Sequence, residues 1–263
     1  MHDRPALIAS LLLALLLVSG GTRSQALLLG EVHDNPDAHS GAYALLEQRV
    51  QAGWRPVIAM EQFDRERQAD LDRALAECTD AKCVVDMAAP ADAGWNWDFY
   101  APVIELALRE KLPLLAANLS RADADKVVSG GFSAALDPMV IGGYALEDSL
   151  PASVLASQVE EVREGHCNAL PADALEPMAK AQIARDIVMT EIINAHADNI
   201  VLIAGNGHVR TDIGVPYWLR SLGINAQSIG FVEDAGKEAQ FDEVHQVPVA
   251  PRADPCEKFR AAQ

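Results

Sequence analysis

The chain reads as an α/β protein: a mostly parallel sheet flanked by helices, with a smaller helical subdomain inserted into it. Two observations point there. Short apolar runs bounded by turn residues recur along the chain, and stretches of helical periodicity separate them. Most of these runs are apolar on both faces, the pattern of strands covered by helices on each side of a parallel sheet.

The elements follow in order. Ala26-Leu27-Leu28-Leu29 is the first strand and ends at Gly30. Asn35-Pro36 offers a helix start, and Ala42, Leu45, Leu46 and Val50 form one helical face behind it. Val57-Ile58-Ala59-Met60 is the second strand, after Pro56; Val103, Leu106 and Ala107 mark the next helix; Leu114–Ala117, after Pro113, is the third strand. Residues 121–197 break the alternation. They hold two helical segments, Ala152–Glu164 and Ala174–Ala197, parted at Gly165-His166-Cys167-Asn168, and read as a helical insertion or lid. Ile200–Ala204, ending at Gly205, and Ala226–Ile229, ending at Gly230, complete the sheet. The expected organisation is an export signal at 1–21 and one domain at 22–263, with its α/β core at 26–120 and 198–250 and the insertion at 121–197.

Export is read from the first residues. Ala6–Val18 is an apolar run with Ser10 as its one polar member, preceded by Arg4 and followed by Ser19-Gly20-Gly21. Thirteen residues suit a signal-peptide core and fall short of a bilayer-spanning helix, although a buried N-terminal helix would look similar. Four cysteines agree with an oxidising compartment. Cys78 and Cys83 are close enough for a local bridge, which would leave Cys167 to pair with Cys256, yet three connectivities are open to any four cysteines. No CxxC is present, so a four-cysteine zinc site is a poor alternative. The formal charge of −17 over 263 residues repels phosphate backbones and argues against nucleic acid as a partner.

Two strand ends carry the same device. Gly30-Glu31-Val32-His33 follows the first strand and Gly205-Asn206-Gly207-His208 the fourth, each a GxxH directly after an apolar run. The second strand also ends in an acid, Glu61. In open α/β sheets ligands bind beyond the carboxyl ends of the strands, so these residues should share one rim. A single GxxH is common by chance; two at equivalent positions, with Glu61 at a third, are not easily dismissed. Gln182, Arg185, Asp186 and Met189 stand at i, i+3, i+4 and i+7 and share a helix face, turned either to the site or to solvent.

These and further segments resemble the ChaN-like group of the haem-binding uptake and Tiki superfamily. The matching pieces are LGEVHDNP at Leu29–Pro36, MEQF at Met60–Phe63, WNWDFYAPVIELA at Trp95–Ala107, AANLSR at Ala116–Arg121, GHCNALP at Gly165–Pro171, AQIARDIVMT at Ala181–Thr190 and GNGHVRTDIGVPYWL at Gly205–Leu219. The resemblance implies a parallel α/β core with a helical subdomain, and iron-regulated haem binding at the bacterial envelope, in dimers holding paired haems with tyrosine and histidine near the iron. Its motifs single out Glu31, His33, Glu61, Arg121, His166, Arg185, His208 and Arg210. Many members are lipoproteins with a cysteine after the signal core. Leu17-Val18-Ser19-Gly20-Gly21-Thr22 has none, which implies a soluble periplasmic protein with no stable membrane anchor once the signal is cleaved.

Two functions follow from these residues. A haem-binding protein of iron uptake or storage would use an apolar slot, an axial ligand and cations for the propionates. Tyr100 in the Trp95–Phe99 aromatic cluster and His166 are the axial candidates, with Tyr43, Tyr144 and Tyr217 also open; Arg121, Arg185 and Arg210 are the cationic ones, although Arg121 and Arg210 would equally suit Glu31 or Glu61. A divalent-metal hydrolase related to the Tiki proteases would instead gather His33, His208, Glu31 and Glu61 around Zn or Mn, with Glu31 or Glu61 as general base. HExxH and GxSxG are absent. The residues by themselves mildly favour the hydrolase, since two histidines and two glutamates suit a hard-to-borderline metal better than haem, whereas the resemblance favours haem.

Overall fold

A computed structural model describes residues 26–90, 94–196, 199–254 and 256–257; the expected signal segment lies outside them. Six parallel strands form one sheet in the order β3-β2-β4-β1-β5-β6: β1 (Ala26–Glu31), β2 (Val57–Asp64), β3 (Leu114–Asn118), β4 (Ile200–Gly205), β5 (Ala226–Val232) and β6 (Glu243–Gln246). The alternation of β1 is resolved into two cores. Leu27 and Leu29 join Ile58, Met60, Val201 and Ile203 on one face, while Ala26 and Leu28 join Ala59, Ile200 and Leu202 on the other. Burial on both faces explains why these strands show as unbroken apolar runs. β6 has no such run: Glu243-Val244-His245-Gln246 is an edge strand facing water, so apolar patterning does not find it.

The first core is roofed by α1 (Pro36–Gln51), α2 (Gln68–Glu77), α3 (Ala81–Ala88) and α4 (Trp97–Glu110). Asn35 caps α1: its Oδ1 accepts from the amides of Asp37 and Ala38 at 2.8 and 3.1 Å, and Pro36 at the first position has no N–H to satisfy. The Cys78–Cys83 disulfide closes the turn between α2 and α3.

Between β3 and β4 the chain is helical. α5 (Arg121–Gly130), α6 (Pro138–Gly143), α7 (Ala152–Gly165) and α8 (Ala172–Ala195) enclose a third core around Leu119, Phe132, Ile183 and Ile187. At 24 residues α8 is about 36 Å long, enough to serve two cores. Its first half packs on α5 and α7, while Met189 and Ile193 pack on the sheet beside Leu28 and Leu202. Cys167 and Asn168 turn the chain from α7 to α8 with positive φ, and Cys167 is bonded to Cys256. Two short helices, α9 (Asn206–Val209) and α10 (Val215–Ser221), follow β4. No helix of the described residues is long and apolar enough to cross a membrane.

Candidate functional site

The topology reverses beside β1 and β4, and the two GxxH segments meet there, beyond the carboxyl ends of their strands. Each glycine makes room for the other segment. A Cβ on Gly205 would lie 2.6 Å from His33 Nε2, and one on Gly30 would lie 2.3 Å from Val209 and 2.5 Å from the Asn206 side chain. Only glycine admits contacts that close, which accounts for its place at the head of both motifs.

Three carboxylates and three imidazoles alternate across this crevice. Asp186 Oδ1 lies 2.6 Å from His208 Nδ1, and His208 Nε2 lies 3.5 Å from Glu61 Oε1. Glu61 Oε2 accepts the Gly205 amide at 2.7 Å and stands 4.0 Å from His33 Nε2. His33 Nδ1 is 3.4 Å from Glu31 Oε1, and His39 Nδ1 is 2.8 Å from Glu31 Oε2. His39 Nε2 donates in turn to the His33 carbonyl at 3.1 Å, and Gln158 Nε2 donates to Asp186 Oδ2 at 3.0 Å. Glu31, Glu61 and Asp186 are at most 2 % exposed. A strongly acidic chain tolerates this because every buried carboxylate faces an imidazole.

The electrostatics follow from these contacts. Burial works against charge on His208, but Glu61 and Asp186 on either side outweigh it and push the imidazole up to about 10, so it is a locked cation at neutral pH. Burial raises Asp186 to about 6 against the pull of His208. Glu61 goes the other way: His208 and His33 overcome its burial and hold it well below the usual carboxylate range. Glu31 is lowered too, since the bonds from His33 and His39 exceed its desolvation. His33 is raised, Glu61 and Glu31 prevailing over burial. It alone among the three motif-adjacent imidazoles keeps a substantially open side chain, 43 % exposed, and its ring stands edge-on to Trp95 at 4.9 Å.

Two cavities flank His33, and His33, Gln182 and His208 border both. One, of about 530 Å³, is also lined by Trp95, Asn118, Arg121, Val128, Met178 and Arg185. The other, of about 680 Å³, lies toward α7 and includes His166, Glu233 and Arg252. Gln182 and Arg185 thus do face the site from α8, and Asp186, one position on, reaches His208.

Several expected roles change. Tyr100 is 1 % exposed and gives its hydroxyl to Glu31 Oε1 at 2.7 Å; burial and that carboxylate suppress its ionisation, so it is a core partner of Glu31 and lines neither cavity. Arg210 is spent on Asp212 at 2.8 Å and on Glu161, away from Glu31 and Glu61. His166 lines the second cavity, apart from Arg121 and Arg185, with Nδ1 donating to the Val162 carbonyl at 2.8 Å. The expected Zn or Mn donors do lie together, but as neutralising pairs. Both His208 nitrogens face carboxylates, and among the described residues no three histidine, cysteine, aspartate or glutamate side chains are grouped to hold a metal ion.

Gln158 completes the network without any sequence signal of its own, and His39 and Gln62 join it, Gln62 Nε2 donating to Glu31 Oε1 at 3.4 Å. His39 lies six residues beyond His33 on the first turn of α1, a spacing that helix placement could have exposed.

A protein-family model described as haem-binding uptake, Tiki superfamily, ChaN matches residues 18–219. Among solved structures the fold is similar to that of ChaN of Campylobacter jejuni, described with cofacially bound haem, at a TM-score of 0.67 and 19 % identity over 84 % of this chain and 86 % of that one. It is more remotely similar to an erythromycin esterase in its open conformation, at a TM-score of 0.45 and 13 % identity over 91 % and 80 % of the two chains. A comparison with curated proteins finds no match. With the family model spanning well over half of its length, the chain belongs to the ChaN family of the haem-binding uptake, Tiki superfamily.

Proposed function

We propose that this protein binds haem in the cavity beside His33, for iron uptake or storage in the periplasm. The observation that carries the reading is the composition of that cavity in a member of this family. Trp95, Val128 and Met178 offer apolar wall, Arg121 and Arg185 offer cations, and an imidazole opens onto it. Its volume of about 530 Å³ lies within the range of pockets for sizeable organic ligands, roughly 300–1,000 Å³. Arg185 Nε is buried with no hydrogen-bond partner, a costly state that a ligand carboxylate would relieve.

Bound haem would supply the iron. The chain's residues supply the slot, the partners for anionic substituents and, in His33, an imidazole that must shed a proton held by Glu61 and Glu31 before a ring nitrogen can act as a ligand. Two disulfides support export to an oxidising compartment. In this reading two copies share paired haems, so haemin should shift the sedimenting species from one copy to two.

Titrating the purified protein with haemin tests the reading. A saturable Soret change with a defined stoichiometry is expected. A response that stays linear in haemin, as free haem gives, would remove it.

A further inference from the structure

The arginines of this chain divide sharply. Arg49, Arg55, Arg65, Arg67, Arg73, Arg109, Arg163, Arg210, Arg220 and Arg252 each make a hydrogen bond or ion pair. Among the described residues Arg121 and Arg185 make none, and both line the same cavity. In a chain of net charge −17, carboxylates to pair with are abundant, so two guanidiniums left without one on a single cavity wall are notable. The acids that border the cavity are engaged elsewhere or stand apart: Glu61 faces His208 and the Gly205 amide, Asp64 accepts from Asn118, and Asp125 makes no ion pair with either arginine. Guanidinium forks bind planar carboxylates strongly, and more so when partly desolvated as Arg185 is.

The groups suited to iron are, by contrast, flanked by carboxylates. Tyr100 is buried on Glu31, both nitrogens of His208 face carboxylates, and His33 stands between Glu31 and Glu61.

We infer that this cavity recognises a porphyrin by its carboxylates, through Arg121 and Arg185, so that iron-free porphyrin dicarboxylates are ligands as well as haem. The inference rests on the haem reading of the same cavity and assigns its affinity to the edge of the macrocycle instead of its metal.

Three ligands separate the terms in titrations followed by absorbance and tryptophan quenching: haemin, protoporphyrin IX and protoporphyrin IX dimethyl ester. Protoporphyrin IX should bind within about tenfold of haemin, and the ester should bind at least about tenfold more weakly, the scale of one lost charge-assisted pair. Arg121→Gln and Arg185→Gln should each weaken the free acid by a similar factor and leave the ester unchanged. Haemin binding without protoporphyrin IX binding overturns the inference and leaves the haem reading standing. Equal binding of acid and ester to the unaltered protein overturns it too, whether or not the variants fold. Failure of haemin and protoporphyrin IX alike removes both readings.

Discussion

The two ends of the imidazole–carboxylate chain are built from the same groups and behave oppositely. At one end Asp186, His208 and Glu61 are buried, both nitrogens of the imidazole face carboxylate oxygens, and the charges neutralise one another. At the other, His33 is open, touches Trp95 and looks into a cavity where two guanidiniums lack partners. The difference teaches that histidine at a strand end is a scaffold or a contact group according to how many carboxylates enclose it. The GxxH motif by itself does not distinguish the two.

Breaking the buried end should cost most. Asp186→Ala leaves a buried His208 with one carboxylate in place of two, and a loss on the order of 3–5 kcal/mol is expected in chemical denaturation. His33→Ala should cost within about 1 kcal/mol, because Glu31 keeps His39 and Tyr100 and Glu61 keeps His208 and the Gly205 amide. Equal losses in the two variants would erase the distinction between the ends.

Cys167→Ser tests the open side from outside the network. The bond to Cys256 closes a loop of 89 residues, so its removal should lower stability by about 4.6 kcal/mol in the loop-entropy account. The pH response assigned to His208 below should be unchanged in that variant.

That response has a definite sign. His208 has a folded pKa of about 10, above its unfolded value near 6.5. Its contribution is therefore complete below about pH 6.5 and drains away as pH rises through 10, by a few kcal/mol in all. Glu61 and Glu31, both lowered by folding, contribute above the normal carboxylate range and lose that contribution as pH falls. Melting curves from pH 7 to 10 should show a decline that His208→Gln flattens. A parallel decline in both proteins would place the titration elsewhere.

A change to the backbone beside His33 sharpens the comparison at the open end. Gly205→Ala puts a methyl 2.6 Å from His33 Nε2, so the ring must move, at about 1–3 kcal/mol. Haemin affinity should fall with it if His33 and the cavity act together, as read by the Soret titration.

The sheet was legible where burial on both faces made a strand largely apolar, as in β1 to β4, and where a short run ended at a glycine, as in β5; it was not legible for the solvent-facing β6. Glu31, His33, Glu61 and His208 were legible as a group because strand ends in a parallel sheet share one rim. The partners that decide their behaviour were not. His39, Gln62 and Gln158 act through side-chain contacts across elements, and no local pattern records that Tyr100 turns into the core instead of toward the cavity. α2 and α3, at ten and eight residues, are too short for a helical period to stand out in the sequence.

The strand order also sets when the site can come into being. β1 and β2 never pair with each other; β4 lies between them, and β1 finds its partners only in β4 and β5. Nearly 170 residues separate the end of β1 from the start of β4, so the first strand waits through most of synthesis with both edges unpaired. Topologies dominated by such distant pairings fold slowly and expose apolar strands meanwhile. When Ile200–Gly205 slides into the gap, that one event joins the two halves of the sheet, seats His33 on Gly205 and brings His208 to Glu61. Closure of the sheet by β4 and assembly of the crevice are thus one and the same event.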